Sequence, residues 1–274
     1  MSAASRRGQG TRWGWRWGAP AVVAGVAIGL WYTVSYRLLT PDTRFLVPPP
    51  DAVVRVGFLD PFNRAELLNG LLLSARVALL GLASAAVIGI CLAITMSQAR
   101  WLERSVFPYL VLLQATPILA LVPLYGFWFG YGFTTRVLVC FLISLFPIVA
   151  NTLFGLRSVD EAHYDLFTMH GAGRMTRLWK LQLPSALPSI FTGLRISAGL
   201  SVIGAIVGDF FFRQGEAGMG VLIDQYRARL QSEQLFAAVI LSSLFGLAVF
   251  LSFGTLARRV VGGWHESGRD TTPF

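Results

Sequence analysis

Residues 66–96 read ELLNGLLLSARVALLGLASAAVIGICLAITM, and this stretch decides the fold class. Apart from Glu66 at its start, it carries a single formal charge, on Arg76. As one α-helix it would be about 45 Å long, whereas the hydrocarbon core of a bilayer is about 30 Å thick. The stretch therefore predicts a membrane-spanning helix whose first two turns lie at or above the membrane surface, with Arg76 near an interface.

The composition of the chain indicates the same class of protein. Of its 274 residues, 54% are hydrophobic and 14% are charged, and the mean hydropathy is +0.60, whereas about 25% of residues are charged in a soluble domain. Cys91 and Cys140 lie within apolar runs, which favours buried free thiols over a disulfide scaffold. The net charge is +9, but the arginines are scattered at the ends of apolar segments, which argues against a nucleic-acid-binding protein.

The sequence offers no constellation for catalysis or for binding ATP. Lys180 is the only lysine and follows Trp179, so a Walker-type G-x-x-x-x-G-K-[ST] loop is absent. The sequence has no H-E-x-x-H motif, no paired C-x-x-C motif and no G-x-S-x-G nucleophile elbow. We therefore predict no catalytic residue, no metal ligand and no cofactor in this chain.

Apolar runs divide the chain into six predicted spans. A basic N-terminal tail, residues 1–18, precedes the first span at 19–39. Residues 40–64 contain Pro48-Pro49-Pro50 and are predicted to form an extramembrane loop in extended polyproline geometry. The core covers 65–257, with spans at 66–96, 105–129, 133–156, 186–212 and 235–256, and a tail follows at 258–274.

Prolines and glycines inside the spans indicate how the helices pack. Pro117 and Pro123 interrupt the third span, and Pro147 lies in the fourth. Prolines at membrane depth are tolerated where neighbouring helices satisfy the freed carbonyls, so we expect these spans to be kinked and interior. Gly204 and Gly208 form a small-xxx-small face on the fifth span, which allows another helix to approach closely.

The distribution of arginine and lysine predicts the orientation. Six spans place both termini on one side of the membrane. If that side is the cytoplasm, the inside segments hold 13 Lys and Arg residues and the outside segments hold eight. The positive-inside rule therefore favours cytoplasmic termini and places residues 157–185, between spans four and five, in the cytoplasm.

Residues 157–185, called the 157–185 loop below, are the longest polar interruption after the proline-rich stretch. Ser158 or Asp160 can cap a short helix that stops at Gly171 to Gly173. A second short helix follows and is predicted to end at Pro184. Two short helices with a glycine joint form a rigid lever that a cytoplasmic partner could push. From the residues alone, an amphipathic helix pair anchored to lipid headgroups is an equally good interpretation.

The 157–185 loop resembles the signature of ABC-importer permeases, in which an E-A-A triplet is followed by G-A and, after a fixed interval, by L-P-x-x-x-P. Gly171-Ala172 and Leu183-Pro184-Ser-Ala-Leu-Pro188 stand at the family's positions. The triplet is Asp165-Leu166-Phe167, so the carboxylate is kept and two bulky residues replace the alanines. The resemblance implies an ATPase-coupling role for Asp165, Leu166, Phe167, Gly171, Ala172, Leu183, Pro184 and Pro188.

The resemblance covers residues 45–257. Val47-Pro48-Pro49-Pro50, Ser74-Ala75-Arg76 and Phe146-Pro147-Ile148-Val149-Ala150-Asn151-Thr152 are similar to the branch that takes up nitrate, sulfonates, taurine and thiamine-pyrimidine or riboflavin-type solutes. It implies an all-α membrane protein with six transmembrane helices, the type I ABC-importer permease fold, in the inner membrane of a bacterial cell. It also implies partners: a second permease copy in a homodimer, two cytoplasmic ATPases that bind ATP and Mg²⁺, and an extracytoplasmic solute-binding protein.

Polar side chains within spans three to five are the candidates for lining the translocation path, since polar groups at membrane depth usually face a cavity or another helix. Plainer interpretations stand beside this one. Arg195 can snorkel to the cytoplasmic interface, and Asp209 can pair with Arg213 on the next turn. Several of the others suit interhelical hydrogen bonds, namely Gln114, Asn151 and Ser201. The full set is Gln114, Asn151, Arg195, Ser197, Ser201 and Asp209.

The main alternative function is an ion-coupled secondary transporter or a channel. Such proteins often have inverted repeats and acidic residues at the bilayer midplane. In this chain neither half recognisably repeats the other, and no carboxylate lies near the centre of a span. A membrane enzyme is the third class, and it needs a nucleophile or metal constellation that the sequence does not show.

Overall fold

The computed structural model describes residues 11–212 and 216–261, with side chains from 18 to 212 and from 216 to 260. Residues 1–10 of the predicted N-terminal tail and 262–274 of the C-terminal tail lie outside this description. The described part is helical and has no strand, which confirms the all-α fold class. The α-helices are α1 Thr11–Thr33, α2 Pro50–Val53, α3 Pro61–Gln98, α4 Arg100–Ala115, α5 Val122–Phe129, α6 Phe133–Arg157, α7 Glu161–Met169, α8 Arg174–Arg177, α9 Leu183–Asp209, α10 Met219–Ala228 and α11 Ser232–Val261.

Five helical stretches of the described chain are long and apolar enough to cross a membrane, and they match five of the six predicted spans: Gly18–Leu38, Pro61–Gln98, Phe133–Arg157, Arg174–Asp209 and Ser232–Val260. The third predicted span is instead a pair of helices, Arg100–Ala115 and Ile118–Phe129, bent by 79°. Pro117 lies at this bend, where it cannot donate a backbone hydrogen bond. The kink predicted there is confirmed, and it is sharp enough to break the span.

The proline-rich stretch differs from the extended loop that its sequence predicts. Pro49 is extended, with φ −66° and ψ 148°, but Pro50 begins α2 and helical backbone continues through a π-helical segment to Leu59. Proline is favourable at the first helical position because that N–H has no partner within the helix and the ring fixes a helical φ. The prediction of polyproline geometry is therefore wrong beyond Pro49.

The chain forms two compact units, each with its own internal contacts. The first comprises the residues up to Glu66 together with Gln225–Ala238. In this unit the indole Nε1 of Trp31 donates a hydrogen bond to the carbonyl oxygen of Pro48 at 3.0 Å. The Trp31 ring also lies 5.6 Å from the ring of Phe236. These contacts hold the end of α1 against the proline-rich stretch and the beginning of α11.

The second unit comprises Leu67–Asp224 and the residues from Val239 onwards. Its core is built by α3, α6, α9 and α11, whose buried apolar residues include Val77, Ile148, Val202 and Val249. The two cysteines differ in burial. Cys140 is buried in this core, as expected, but Cys91 is exposed on α3, so the prediction of burial is wrong for it. Both thiols are free.

Close approach between α6 and α9 depends on glycine. A Cβ atom at Gly155 would lie 2.7 Å from the Cβ of Ser189, and one at Gly193 would lie 2.9 Å from the Cβ of Asn151. Gly204 and Gly208 face Ile143 and Val139 of α6, which confirms the packing predicted from their spacing. These contacts run along most of α9, so α6 and α9 pack as one layer.

Candidate functional site

The first half of the 157–185 loop is a capped helix and a glycine turn, as predicted. The Asp160 carboxylate accepts a hydrogen bond from the backbone N–H two residues on, at 2.9 Å, and thereby caps α7. Gly171 follows α7 with a φ of +69°, a conformation that side chains disfavour. The backbone N–H of Ala172 closes the turn by donating to the carbonyl oxygen of Phe167 at 2.9 Å.

Helix α7 is exposed within its unit except at Phe167, which is half-buried, and none of its side chains is fully buried. Its exposed residues include the coupling candidates Asp165 and Leu166 and also Met169, whose side chain is 86% accessible. Met175 and Trp179, just beyond the turn, are exposed as well. A cluster of exposed apolar side chains on a polar loop is typical of a surface that binds another protein or a membrane.

Side-chain contacts fix α7 to the segment that follows it. The Nη1 of Arg177 donates a hydrogen bond to the Oγ1 of Thr168 at 3.2 Å, and the Arg177 guanidinium lies 4.9 Å from the centroid of the Tyr164 ring. At the start of the loop, Arg157 forms an ion pair with Glu103 of α4. The loop is therefore cross-braced even though its outer surface is free.

The base of the loop is anchored among the spans. Leu178 is buried against Leu156 of α6 and Ile190 of α9. The side-chain amide of Gln98, at the end of α3, donates a hydrogen bond to the Oε1 of Gln182 at 3.1 Å. The loop is thus joined to three spans at its base.

The second short helix of the loop does not end at Pro184, and this prediction is wrong. Helix α8 continues through a π-helical segment, Leu178–Gln182, into α9, and the whole forms one helix, Arg174–Asp209. The carbonyl that the Pro184 ring would oppose belongs to Lys180, which lies in the π-helical segment, where the wider turn relieves the clash. Any displacement of the loop therefore acts directly on α9.

An open cavity of about 1470 Å³ lies between α7 and the beginning of α4. Its lining is unusually rich in charge, with more arginines than carboxylates, so its electrostatic potential favours an acidic partner. In the sequence, the arginines of this lining predicted only the orientation of the chain in the membrane, because no pattern of neighbouring residues shows that α4 and α7 approach each other. The charged residues that line the cavity are Arg100, Arg104, Arg157, Arg174, Arg177, Glu103, Glu161 and Asp165.

Three of the translocation candidates make hydrogen bonds near or within the α6–α9 layer. The buried Ser197 donates to the carbonyl of Ser144 on α6 at 2.7 Å, and Ser144 donates to the carbonyl of Ser197 at 3.3 Å. Asn151 donates to the carbonyl of Pro147 at 2.8 Å, and Ser201 donates to the carbonyl three residues before it at 2.9 Å. Interhelical bonds from the side chains of Asn151 and Ser201 are therefore not formed, because their own helices supply the acceptors. The interhelical bond predicted for Ser201 is made by its backbone instead, since its carbonyl oxygen accepts a hydrogen bond from the Sγ of Cys140 on α6 at 3.5 Å.

Gln114 and Arg195 lie apart from these serines. Gln114 is exposed on α4. The Arg195 guanidinium lies 4.0 Å from the centroid of the Phe250 ring on α11. An aromatic face attracts a cation, so the ring stabilises a charge that the sequence places within a span.

Asp209 forms a buried ion pair that sequence reasoning did not anticipate. Its Oδ1 lies 2.7 Å from the Nη1 of Arg136 on α6, and the two side chains are 2% and 6% exposed. The partner expected from the sequence, Arg213, lies outside the described residues. The Oδ2 of Asp209 also accepts a hydrogen bond from the backbone N–H of Val221 at 3.1 Å.

Two further hydrogen bonds complete what we call the Asp209 cluster, which comprises Ser74, Arg136, Asp209 and the backbone of residues 216–221. The Oγ of Ser74 on α3 accepts from the N–H of Met219 at 2.9 Å, and the Nη1 of Arg136 donates to the carbonyl oxygen of Glu216 at 3.2 Å. Helix α10, which begins here, was missed in a region that the sequence marks as polar. Its signal is the helical spacing of apolar residues at 219, 222, 223 and 226.

Comparison with known proteins places this arrangement in a family. Residues 85–262 match the family described as "Binding-protein-dependent transport system inner membrane component". The formylaminopyrimidine transport permease protein ThiX of Halalkalibacterium halodurans is 35% identical over 227 residues, which cover 82% of this chain and 88% of that protein. The riboflavin transport system permease protein RibX of Chloroflexus aurantiacus is 34% identical over 223 residues, covering 81% and 82%.

More distant comparisons agree. The taurine transport system permease protein TauC of Escherichia coli is 28% identical over 266 residues, covering 92% of this chain and 93% of that protein. A crystal structure of an amino acid ABC transporter superposes with a TM-score of 0.57 at 17% identity, covering 72% of this chain and 93% of that chain, and so has the same fold. Because the family match spans more than half of the chain and two relatives exceed 30% identity, the chain belongs to the binding-protein-dependent inner membrane components, the permeases of ABC importers.

Proposed function

We propose that this permease is driven by a separate cytoplasmic ATPase that binds the 157–185 loop. The proposal rests on one observation about α7: none of its side chains is fully buried, and yet the helix is held in place by Arg177 and by the turn at Gly171. A braced helix with an exposed apolar surface can transmit force from a partner without bending. A purely lipid-anchored helix pair has no need of such bracing.

The eight coupling residues divide into three roles in this proposal. Asp165, Leu166 and Phe167 belong to the exposed helix and contact the ATPase, while Gly171 and Ala172 shape the turn. The others, Leu183, Pro184 and Pro188, are half-buried in the first turns of α9 and set how the loop continues into the span. Because α8 and α9 are one continuous helix, closure of the ATPases on ATP and Mg²⁺ would move α9 directly.

The rest of the assembly is proposed by analogy with other members of the family. In this proposal two copies of the chain form a homodimer, two ATPases bind on the cytoplasmic side, and an extracytoplasmic binding protein delivers the solute. The protein lies in a bacterial inner membrane with both termini in the cytoplasm, which suits the arginine-lined cavity beside α7. The solute is a small molecule of the nitrate, sulfonate, taurine or thiamine-pyrimidine and riboflavin class, and the names of the relatives support this range.

Two substitutions in the 157–185 loop test the proposal. Asp165→Arg reverses a charge on the exposed helix, and Gly171→Leu forces a side chain into a positive-φ backbone. We expect both variants to insert into the membrane but to lose most ATP-dependent uptake, measured with nitrate, taurine and riboflavin as probes. Matched controls are Asp42→Arg, at an exposed carboxylate outside the loop, and Gly173→Leu, where φ is −66° and no other atom lies near.

Normal uptake by both loop variants would contradict the proposal. Accumulation of a probe by the purified permease alone in liposomes, without an ATPase, would instead support an ion-coupled secondary transporter.

A further inference from the structure

The Asp209 cluster lies at the opposite end of α9 from the 157–185 loop. Helix α9 has 27 residues and is therefore about 40 Å long, so roughly the thickness of a membrane separates the cluster from the loop. The cluster joins three spans, α3 through Ser74, α6 through Arg136 and α9 through its last residue, to one segment of chain. That segment leads into α10.

Burial makes the members of the cluster dependent on one another. With Asp209 2% exposed and Arg136 6% exposed, neither charge can be satisfied by water if the pair separates. The Arg136 guanidinium also lies 5.2 Å from the centroid of the Phe212 ring and donates to the carbonyl of Glu216. Moving α6 away from α9 at this end would therefore leave a buried charge without its partner.

Two glycines bring the backbone of the segment into the cluster. A Cβ atom at Gly218 would lie 2.9 Å from the Oγ of Ser74 and would collide with the Asp209 carboxylate. At Gly220 it would lie 2.8 Å from the Cβ of Asp209 and would collide with the carbonyl oxygen of Ile206. The N–H groups next to these glycines reach Ser74 and Asp209 because no side chain intervenes, so the segment is attached by its backbone.

Close packing also connects the cluster to the loop. A Cβ atom at Gly89 of α3 would lie 3.0 Å from the Cγ2 of Ile148 on α6, and Gly155 and Gly193 bring α6 and α9 together at the loop end. The loop and the cluster are thus the two ends of one tightly packed body.

We propose that Arg136 and Asp209 are positioning residues that make residues 216–221 move with α9. A displacement of the 157–185 loop at one end of the spans is thereby transmitted to the segment at the other end. This rests on the proposed function, because it takes the ATPase as the source of the displacement. Neither residue contacts the solute in this mechanism, and their role is to keep the ion pair and the segment together during the movement.

The test follows a thiol placed in the segment. In the complex of permease and ATPase, Cys91 and Cys140 are replaced by alanine and Ala217→Cys supplies the probe, since Ala217 belongs to the segment 216–221 and its side chain is half-buried. The rate of modification by a membrane-impermeant maleimide is measured without nucleotide and with ATP trapped by vanadate. We expect the rate to change severalfold between the two states, and Asp209→Asn to bring the ratio of the two rates close to one.

Conservative and matched variants separate positioning from general destabilisation. Arg136→Lys keeps the charge and is expected to retain part of the state dependence, and Asp42→Asn, the same substitution at an exposed site, is expected to retain all of it. If Asp209→Asn does not insert into the membrane, Ser74→Ala, which removes only the acceptor for the Met219 N–H, is expected to reduce the ratio. The proposal is overturned if the protein with Ala217→Cys and an intact cluster is modified at the same rate with and without trapped ATP. It is also overturned if both Asp209→Asn and Ser74→Ala leave the ratio of these two rates unchanged.

A second probe distinguishes failure of this proposal from failure of the proposed function. Leu166→Cys, on the exposed helix of the loop, reports whether the ATPase is bound. The ATPase can protect this thiol while the rate of Ala217→Cys modification is the same with and without nucleotide. That result contradicts only the transmission through the cluster. If the ATPase does not protect the Leu166→Cys thiol in a protein whose cluster is intact, the proposed function itself is contradicted.

Discussion

Replacing both charges of the Asp209 cluster should be less damaging than replacing one. Asp209→Leu removes the carboxylate that pairs with the guanidinium of Arg136, and that guanidinium is only 6% exposed. Arg136→Met does the converse to Asp209, which is 2% exposed. The double variant leaves neither charge in the site, so it separates the electrostatic effect from the change in volume.

The structure sets the expected magnitudes. Breaking a buried ion pair by removing one partner costs about 3–5 kcal/mol. Asp209→Leu also deprives the buried Val221 N–H of its acceptor, which costs about 1–3 kcal/mol, and Arg136→Met deprives the carbonyl of the exposed Glu216 of a donor, which costs about 0.5–1.5 kcal/mol. Asp209→Leu should therefore lose about 4–8 kcal/mol of the free energy of unfolding and Arg136→Met about 3.5–6.5 kcal/mol. The double variant should lose about 1.5–4.5 kcal/mol, because it loses both hydrogen bonds but leaves neither charge of the pair in the site.

The assay is reversible unfolding in detergent micelles, titrated with SDS and followed by tryptophan fluorescence and circular dichroism. A matched control is Glu103→Gln, which breaks the pair with Arg157, a residue that is 46% exposed. That change should cost below about 1 kcal/mol, since exposed pairs contribute little. The reasoning is refuted if both single variants of the cluster stay within about 1 kcal/mol of the parent, or if their losses simply add in the double variant.

Three other substitutions have outcomes that the structure determines. Gly155→Ala should destabilise the protein by about 1–3 kcal/mol, because the new methyl group would lie 2.7 Å from the Cβ of Ser189. Gly199→Ala should be neutral or slightly stabilising, because its new methyl group would meet no atom of another helix or side chain within 4 Å. Folded yield after extraction measures both, and equal yields would contradict the packing. Tyr226 is buried and its hydroxyl donates to the Glu66 carboxylate at 2.6 Å, and burial followed by this bond raises the pKa of Tyr226 above its usual range. Because the pKa of Tyr226 is higher in the folded state than in the unfolded state, its hydroxyl stabilises the folded protein fully below about pH 10. As the pH rises further, the stability of the parent relative to Tyr226→Phe should fall. A parallel pH dependence of unfolding in the two proteins would contradict this.

Apolar run length was sufficient to predict most of the spans. The fourth span was expected at 133–156 and forms Phe133–Arg157, because a long apolar run whose one charge before its end is on Arg136 has no other stable place in a membrane protein. Composition could not predict that the third span is bent by 79°, since proline is compatible with a mild kink as well as with a break. The continuity of α8 with α9 depends on a π-helical turn before Pro184, and such turns have no clear sequence signal.

The two ends of α9 differ in how far they could be predicted. At the loop end the signals are local, because Asp160 caps its own helix and Gly171 makes its own turn, so a few consecutive residues suffice. The Asp209 cluster instead brings together Ser74, Arg136 and Met219, which are far apart in the chain. A single sequence contains no information about which distant polar residues meet, and the nearest cation in sequence, Arg213, was the default choice for Asp209.

The central claim is that a cytoplasmic ATPase binds the 157–185 loop, and thiol modification of Leu166→Cys tests it most directly. The measurement compares modification by a membrane-impermeant reagent in right-side-out and inside-out vesicles, with and without the ATPase. The account predicts modification from the cytoplasmic side alone and strong protection when the ATPase is bound. Modification from the exterior, or full reactivity at Leu166→Cys in a complex that still transports, would contradict it.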